Sequence, residues 1–419
     1  MKTAYKIPSH LPKRLTIAFT TWSLFDTSDK GKYHDLDQMV KEHKERGFNC
    51  IRIEGGAGLT HDIYGNKRGA INLHAPFGEY SVVRELFHFG GEGKCNFLER
   101  LLSLCEACKK YNVYLIFSSW YFLHTYWYVD NEINKEIFSV NSEDMFMTFA
   151  KLLGYLIDEV KKNGYSDRIA MAEIFNEVGS VPLFIGELKN ENVKHIDFKK
   201  KHNEALLWLK EMHPDILFGY DNDCVTDKDI EDIPEELMAF NGHNYFLWGV
   251  YGGTLEIGEP EKPEFYSNKV KPEDVAAARG NLVQLSPTCA PWYNRVARCC
   301  NLDESKFPEL EEYLTERIKE RKEEYINKFE SFCEGFKKIM EKFPGIPVVS
   351  GEGVTYCSSQ KLLWEEKSEE YWDIVKYAMM RYKEIGLWGT LIKTCLGPED
   401  PSWELCKDKI KELNEMFLA

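Results

Sequence analysis

Apolar and polar residues along the chain follow two patterns that alternate with each other. Eight short runs are rich in apolar residues and have the length of buried strands: 15–20, 48–53, 113–117, 169–177, 216–220, 238–245, 347–351 and 389–394. Longer segments follow with the apolar spacing of helices, at 35–46, 97–111, 142–162, 197–212, 226–237, 303–343, 369–384 and 403–417. Strands that alternate with helices predict an α/β protein with a parallel sheet, and eight such units favour a closed (β/α)8 TIM barrel.

Two connections are much longer than the others and predict long loop insertions between a strand and the helix after it. They span about 54–95, which is rich in glycine, and about 246–301, which is irregular and rich in proline. Connections of this length in a compact domain often shape binding sites. No low-complexity linker divides the sequence, so we expect residues 1–419 to form a single barrel domain.

Charge and hydropathy narrow the classes of partner. The net charge of −15 argues against nucleic-acid binding, which requires basic residues that neutralise phosphates, whereas a neutral sugar is compatible with it. No apolar run reaches the roughly 18–20 residues of a membrane span, so we expect no membrane partner. The N-terminal segment lacks the continuous apolar core of a secretory signal, which favours a cytoplasmic protein.

The 12 cysteines do not predict a metal site. Cys105 and Cys108 have the spacing of half a zinc site, but no second pair follows with ligand spacing. In a reducing compartment such thiols are mostly free and pack as small apolar side chains.

Two glutamates end apolar runs in a way that packing does not explain. Glu177 ends the fourth predicted strand and Glu352 follows the seventh, although ionised glutamate is rarely buried without a partner. In an eight-stranded barrel these strand ends face each other across the mouth, where catalytic groups lie. Two carboxylates about 5–5.5 Å apart are what retaining glycoside hydrolysis requires, one as general acid/base and the other as nucleophile.

The sequence around these glutamates resembles a known group of enzymes. Asn176-Glu177 at the end of the fourth strand, with Glu352 at the end of the seventh, is similar to the signature of glycoside hydrolase clan A, and most similar to the cellulase-like family 5. The resemblance implies that Glu177 is the acid/base and Glu352 the nucleophile. It also implies that Asn176 bonds the sugar 2-hydroxyl, a contact that strengthens in the transition state.

Three further residues match the family pattern. By the resemblance, Arg52 at the end of the second strand lies beside the nucleophile and keeps it ionised. His243 and Tyr245 match the family's His-x-Tyr, which implies that the tyrosine hydroxyl bonds the nucleophile and that the histidine lies near the acid/base.

The chain departs from the family at two strand ends. Family 5 members commonly have a histidine where this sequence has Ser118-Ser119, and a tryptophan that forms a sugar platform where it has Thr394-Cys395. These departures leave the pair of glutamates in place and make the identity of the sugar an open question.

Other residues near strand ends have two interpretations each. Trp22 and Trp120 either stack on the apolar faces of a sugar or pack loops against the barrel. Glu173 is the main rival carboxylate, with the barrel interior or wall as its other interpretation, and Glu54 is a further candidate for a site acid.

We therefore expect a retaining glycoside hydrolase that cleaves β-glycosidic bonds in oligosaccharides or small glycosides by double displacement, with no metal and no cofactor. The alternative is a non-catalytic carbohydrate-binding barrel that has lost hydrolysis, which the two departures from the family keep open. Metal-dependent hydrolysis or sugar isomerisation would require several His and Asp ligands at strand ends, where only His243 and Asp221 are suitable.

Overall fold

Eight parallel strands close into a barrel in the computed structural model, which describes residues 7–27, 29, 31–74, 80, 93–121, 128–222, 227–247, 250, 262–267, 269–279, 290–355 and 361–419. The strands are β1 (Leu15–Phe19), β2 (Cys50–Glu54), β3 (Tyr114–Ser118), β4 (Ile169–Glu173), β5 (Phe218–Asn222), β6 (Ala239–Asn244), β7 (Val348–Gly353) and β8 (Gly389–Thr390). Each strand pairs with the next along the chain, and β8 pairs with β1. The predicted (β/α)8 barrel is confirmed.

Helices connect the strands around the barrel. Their bounds are Leu36–Glu45, Ala57–Thr60, Phe97–Tyr111, Asn131–Ile137, Met145–Lys162, Val181–Lys189, Phe198–Met212, Asp227–Asp232, Pro272–Arg279, Ala290–Asn301, Phe307–Glu320, Lys322–Lys342, Trp364–Lys367, Glu369–Ile385, Ser402–Leu405 and Lys407–Leu418. None of these helices is both long enough and apolar enough to cross a membrane.

The last strand is shorter than its apolar pattern predicts. The run 389–394 predicts six residues of strand, but β8 contains only Gly389 and Thr390. A Cβ at Gly389 would lie 3.0 Å from side-chain atoms of both Leu15 and Val349, so a glycine suits this close approach of three strands. Beyond Thr390 the chain leaves the ladder, and Lys393 there forms buried ion pairs with Glu365, which precedes β8, and with Asp400, which follows it.

Three predicted helical features are wrong in detail. The single helix predicted at 303–343 is two helices that meet at Arg321, and the helix at 403–417 is also divided, at Cys406. Neither junction contains a glycine or proline, so the sequence carries no signal for a break. Ser142 does not cap the helix that begins at Met145; its hydroxyl instead donates to Glu191.

The two long connections contain more regular structure than expected. In the described part of 54–95, a short antiparallel ladder joins Ile71–Leu73 to Gly93–Cys95, and the helix Ala57–Thr60 precedes it. The connection 246–301 includes the helices Pro272–Arg279 and Ala290–Asn301, which corrects the expectation of an irregular segment.

Candidate active site

Alternation of side chains along the barrel strands directs polar groups into the mouth of the barrel. Asp221 of β5 points inward and accepts hydrogen bonds from Arg52 of β2 and Asn241 of β6. Its neighbour Tyr220 packs against the ring of Phe240, which precedes Asn241 in β6. The outward residues are therefore apolar or aromatic, while the inward residues at the same strand ends carry charge or amide groups.

Arg52 is fully buried and joins several of these strand ends. Its Nη1 lies 2.5 Å from Glu352 Oε1, and its Nη2 lies 2.5 Å from Asp221 Oδ2. The same Nη2 donates to Asn176 Oδ1 at 2.7 Å. Because one guanidinium bonds two carboxylates and an amide, the ends of β2, β5 and β7 and the residues after β4 are held in one network.

Glu173 lies inside the barrel below this network and is fully buried. The Ser118 hydroxyl donates to it, and Arg52 Nη2 lies 3.4 Å from its Oε2. Burial and the charge of Asp221 raise the pKa of Glu173 to about 8. Glu173 is thus largely protonated at neutral pH, and the barrel-interior interpretation describes it.

Glu177 and Glu352 face each other with His243 beside both. One oxygen of each carboxylate and one ring nitrogen of His243 lie within 4.8 Å of one another. His243 Nδ1 lies 2.9 Å from Glu177 Oε1, and the Tyr245 hydroxyl donates to Glu352 Oε2 at 2.7 Å. The Glu177 side chain is 25% exposed and that of Glu352 is 7% exposed, so Glu177 is the more accessible carboxylate.

The electrostatic surroundings make His243 a cation. Burial disfavours its charged form, but Asp221 and Glu352 outweigh burial and raise the pKa of His243 well above its ordinary value. Burial also raises the pKa of Asp221, and His243 and Arg52 overcome this to leave it below its usual range. An imidazolium therefore lies between ionised Asp221 and the pair of glutamates.

The neighbouring cations offset the effect of burial on the pKa of Glu352 less completely than they do for Asp221. Burial raises the pKa of Glu352 above its ordinary value, although the charges of His243 and Arg52 pull it downward. The guanidinium of Arg52 lies beside Glu352, where the family resemblance implied a positive charge, but the two cations offset only part of the effect of burial.

The two tryptophans lie in the wall around Arg52. Trp22 and Trp120 are 2% and 3% exposed, and their ring centroids are 6.1 Å apart. The Arg52 guanidinium carbon lies 4.5 Å from the centroid of the Trp120 ring, which is the distance of a cation–π contact. Little of either ring is open to a sugar, so the packing interpretation describes them better.

The strand-eight position that holds a tryptophan in family 5 holds a hydrogen-bonded hydroxyl in this chain. Thr394 is buried, and its Oγ1 lies 3.4 Å from the Tyr245 hydroxyl and accepts from the Gly353 N–H at 2.8 Å. Thr394 therefore supports the tyrosine that bonds Glu352, and no aromatic platform occupies this position.

Glu54 is buried beside the site but is not one of the two facing glutamates, Glu177 and Glu352. Its carboxylate accepts the backbone N–H of Gly56 at 2.7 Å and that of Trp120 at 2.6 Å. Burial raises the pKa of Glu54 to about 7, although these two hydrogen bonds and Arg52 act in the opposite direction. Both carboxylate oxygens bond the loops after β2 and β3, which indicates a structural role.

Asp221 and Asn241 belong to the network, although the sequence indicated Asp221 only as a possible metal ligand and did not single out Asn241. Asn241 donates to Asp221 and accepts the Gly351 N–H at 2.8 Å, so it links β5 to β7. Asn241 interrupts an apolar run and Asp221 directly follows one, and a polar residue at such a position is the signal that could have identified them.

The cluster of Glu177, His243 and Glu352 has the donor types of a metal site. Both ring nitrogens of His243 already face carboxylates, and Arg52 lies 2.5 Å from Glu352. A protonated imidazole is not a ligand, and a further cation would have to enter beside two positive charges. The residues present therefore fit an ion-paired carboxylate site better than a metal centre.

Comparisons with known proteins support the fold. No family model matches the sequence, and no curated protein matches it. Among solved structures, the chain is similar to a candidate glycoside hydrolase from Parabacteroides distasonis, with a TM-score of 0.63 and 16% identity over 97% of this chain and 94% of that one. It is also similar to an endo-β-1,4-mannanase from Thermotoga petrophila, with a TM-score of 0.51 and 12% identity over 97% of this chain and 77% of that one.

The chain shares the fold of these glycoside hydrolases. At 16% and 12% identity the likeness concerns the fold alone. What the site does must therefore be argued from its own residues.

Proposed function

We propose that this protein is a retaining glycoside hydrolase that cleaves β-glycosidic bonds in oligosaccharides or small glycosides. The observation that carries the proposal is the approach of Glu177 and Glu352 to within 4.8 Å of each other at the mouth of the barrel. Retaining enzymes have carboxyl groups about 5–5.5 Å apart, whereas inverting enzymes need about 6.5–9.5 Å to admit a water. In this proposal residues 1–419 act as one catalytic domain.

The two glutamates have different surroundings, which suit different roles. Glu352 would attack the anomeric carbon while Glu177 protonates the leaving oxygen, so that a glycosyl ester forms on Glu352 and the alcohol departs. Water would then attack the same carbon, give a proton to Glu177 and release Glu352. The buried oxygens of Glu352 are oriented by Arg52 and Tyr245, as a nucleophile requires, and the more exposed Glu177 can exchange protons with water.

Asn176 has an orientation that suits contact with the sugar. Its side-chain oxygen accepts from Arg52 at 2.7 Å, so its NH2 group is turned away from the guanidinium. That group would donate to the 2-hydroxyl of a sugar bound between the two glutamates.

Substitution of each glutamate tests the proposal. With an activated aryl β-glycoside, Glu352→Ala and Glu177→Ala should each lower turnover by about 100- to 10,000-fold, because each removes one partner of the double displacement. Azide should restore turnover in both variants and give opposite products. Azide would replace the nucleophile in Glu352→Ala and give an α-glycosyl azide, but would attack the glycosyl enzyme in Glu177→Ala and give a β-glycosyl azide.

The matched control is Glu132→Ala, since the Glu132 side chain is 83% exposed and forms a surface ion pair with Lys135. This variant should retain the activity of the wild type. Normal turnover in either Glu177→Ala or Glu352→Ala would end the proposal.

A second candidate function is carbohydrate binding without hydrolysis. The observation that favours it is the raised pKa of Glu352, because a higher pKa lowers the fraction of the carboxyl group that is ionised and able to attack. Titration calorimetry with β-linked oligosaccharides separates the two functions: binding without turnover across pH 5–9 would support this candidate, whereas turnover would exclude it.

A further inference from the structure

Asp221 lies at the centre of the site, although it is not one of the two proposed catalytic glutamates. It is 1% exposed and accepts hydrogen bonds from Arg52 Nη2 at 2.5 Å and Asn241 Nδ2 at 2.8 Å. It also faces His243 Nε2 at 3.2 Å and accepts the backbone N–H of Glu177 at 2.9 Å. Two of these contacts lead to Glu177, one directly to its backbone and one through the histidine.

The backbone of Glu177 has a conformation that needs support. Its φ of 46° lies in the left-handed region, which is disfavoured for a residue with a Cβ and persists where surrounding contacts impose it. Asp221 provides such contacts from β5. Its carboxylate accepts the Glu177 N–H, and its main-chain carbonyl accepts the Val178 N–H at 3.4 Å.

The side chain of Glu177 is oriented through His243. The two ring nitrogens of His243 face Glu177 Oε1 and the carboxylate of Asp221, and both partners are acceptors when they are ionised. Each contact is a hydrogen bond only if the nitrogen concerned carries a proton, so both contacts together require the doubly protonated ring. Asp221 is thus the nearer of the two carboxylates, at 3.2 Å against 3.5 Å for Glu352, that keep His243 charged beside Glu177.

We propose that Asp221 is a positioning residue for the acid/base: it holds the left-handed backbone of Glu177 and keeps His243 as a charged donor toward the Glu177 carboxylate. This inference rests on the proposed function, in which Glu177 protonates the leaving group. Neutralising Arg52 does not by itself account for Asp221, because Glu352 also lies 2.5 Å from that guanidinium.

The test is Asp221→Asn with Glu173→Gln as its matched control. An amide has one acceptor oxygen where the carboxylate serves four donors, so Asp221→Asn should release at least one contact that leads to Glu177. Glu173→Gln also alters a buried acid beside Arg52, but Glu173 has no described contact with Glu177 or His243.

The readout is the dependence of kcat/KM on the leaving group. For a phenyl β-glycoside, whose departure needs a proton, kcat/KM of Asp221→Asn should fall by about 100-fold. For the 2,4-dinitrophenyl glycoside of the same sugar, which departs without a proton, the loss should stay below about 5-fold. Glu173→Gln should affect both substrates equally. Equal losses for both substrates in Asp221→Asn would assign Asp221 a general structural role and overturn the proposal.

A second measurement does not depend on catalysis. Nitrogen-15 NMR reports the protonation of the histidine rings, and the signals of His243 are assigned as those that disappear in His243→Gln. At pH 7 both ring nitrogens of His243 should be protonated in the wild type, and one of them should be deprotonated in Asp221→Asn. A neutral His243 in the wild type would overturn the proposal even if Asp221→Asn failed to fold. If the wild type cleaves no aryl β-glycoside but His243 is charged, then the proposed function fails while the contact of Asp221 with His243 is upheld.

Discussion

At the scale of single residues, the site is a balance of buried charges. Arg52 and His243 are the two cations, and Asp221 and Glu352 each lie within 3.5 Å of both. An isolated buried carboxylate would neutralise itself by binding a proton, so this alternation of charges is what allows ionised groups to remain in a barrel core. Removing one member leaves its neighbours uncompensated.

Glu54 should make the stability of the protein depend on pH. Its pKa is raised from 4.5 to about 7 by burial, so the folded state binds a proton in a pH range where the unfolded state has lost it. The contribution is fully present below pH 4.5 and is lost as the pH rises through about 7. Relative to Glu54→Gln, the free energy of unfolding of the wild type should fall by about 3 kcal/mol over that range.

Urea denaturation of both proteins across this pH range measures the difference. The comparison with Glu54→Gln cancels the titration of other buried acids such as Glu173, and the hydrogen bond lost in the variant adds an offset that does not vary with pH. Parallel curves for the two proteins would show that Glu54 does not titrate in this range.

At the scale of elements, the start of a helix is marked most clearly in the sequence where a side chain completes the cap. Asp197 precedes the helix Phe198–Met212 and accepts the Lys200 N–H at 2.9 Å, and the predicted start at 197 is close to the observed one. Asp144 has the corresponding position before Met145–Lys162 but makes no such bond. The prediction that relied on a cap at Ser142 placed that helix start three residues early.

This difference gives a matched pair of substitutions. Asp197→Ala should lower the free energy of unfolding by about 1 kcal/mol, because it leaves an N–H of the first turn without its side-chain acceptor. Asp144→Ala removes the same charge from the same position of a helix and should change stability by less than about 0.5 kcal/mol. Thermal unfolding of both variants tests this, and equal losses would mean that the charge and not the cap is responsible.

At the scale of the whole molecule, a buried lysine links the chain after β8 to one segment that precedes this strand and one that follows it. Lys393 Nζ lies 2.6 Å from Glu365 Oε2 and 2.8 Å from Asp400 Oδ2, and all three side chains are 2% exposed. The Ser402 hydroxyl lies 3.2 Å from the same nitrogen. These contacts join the end of the last strand to the helices that begin at Trp364 and Ser402.

Loss of this ammonium group should destabilise the fold strongly. Lys393→Met would leave two buried carboxylates without their cation, which costs about 3–5 kcal/mol. Lys376→Met is the control, because Lys376 is 47% exposed and lies 3.5 Å from Glu412, a surface pair worth under about 1 kcal/mol. Denaturation at pH 7 measures both variants. A loss below about 1 kcal/mol in Lys393→Met would mean that the carboxylates readily find other partners.

The apolar pattern by itself determined the barrel, because the period of a buried strand and that of a helix are local properties. Six of the eight strands agree with the pattern to within about two residues at each end, whereas β4 and β8 each end four residues before the pattern predicts. The later residues of β8 leave the ladder for buried ion pairs. The order of Arg52, Glu177, His243 and Glu352 along the chain also placed polar groups at strand ends that meet in a barrel.

Only the tertiary structure decided the charge states of the site residues and the backbone conformation of Glu177. Asp221 and Glu177 are 44 positions apart and Arg52 and Glu352 are 300 apart, so their contacts exist only after the barrel closes. The charge of His243, the raised pKa of Glu352 and the left-handed φ of Glu177 follow from those contacts and from burial, neither of which a linear pattern specifies. The sequence determined which groups meet at the mouth of the barrel, and the closed fold decided which of them carry charge and how they are held.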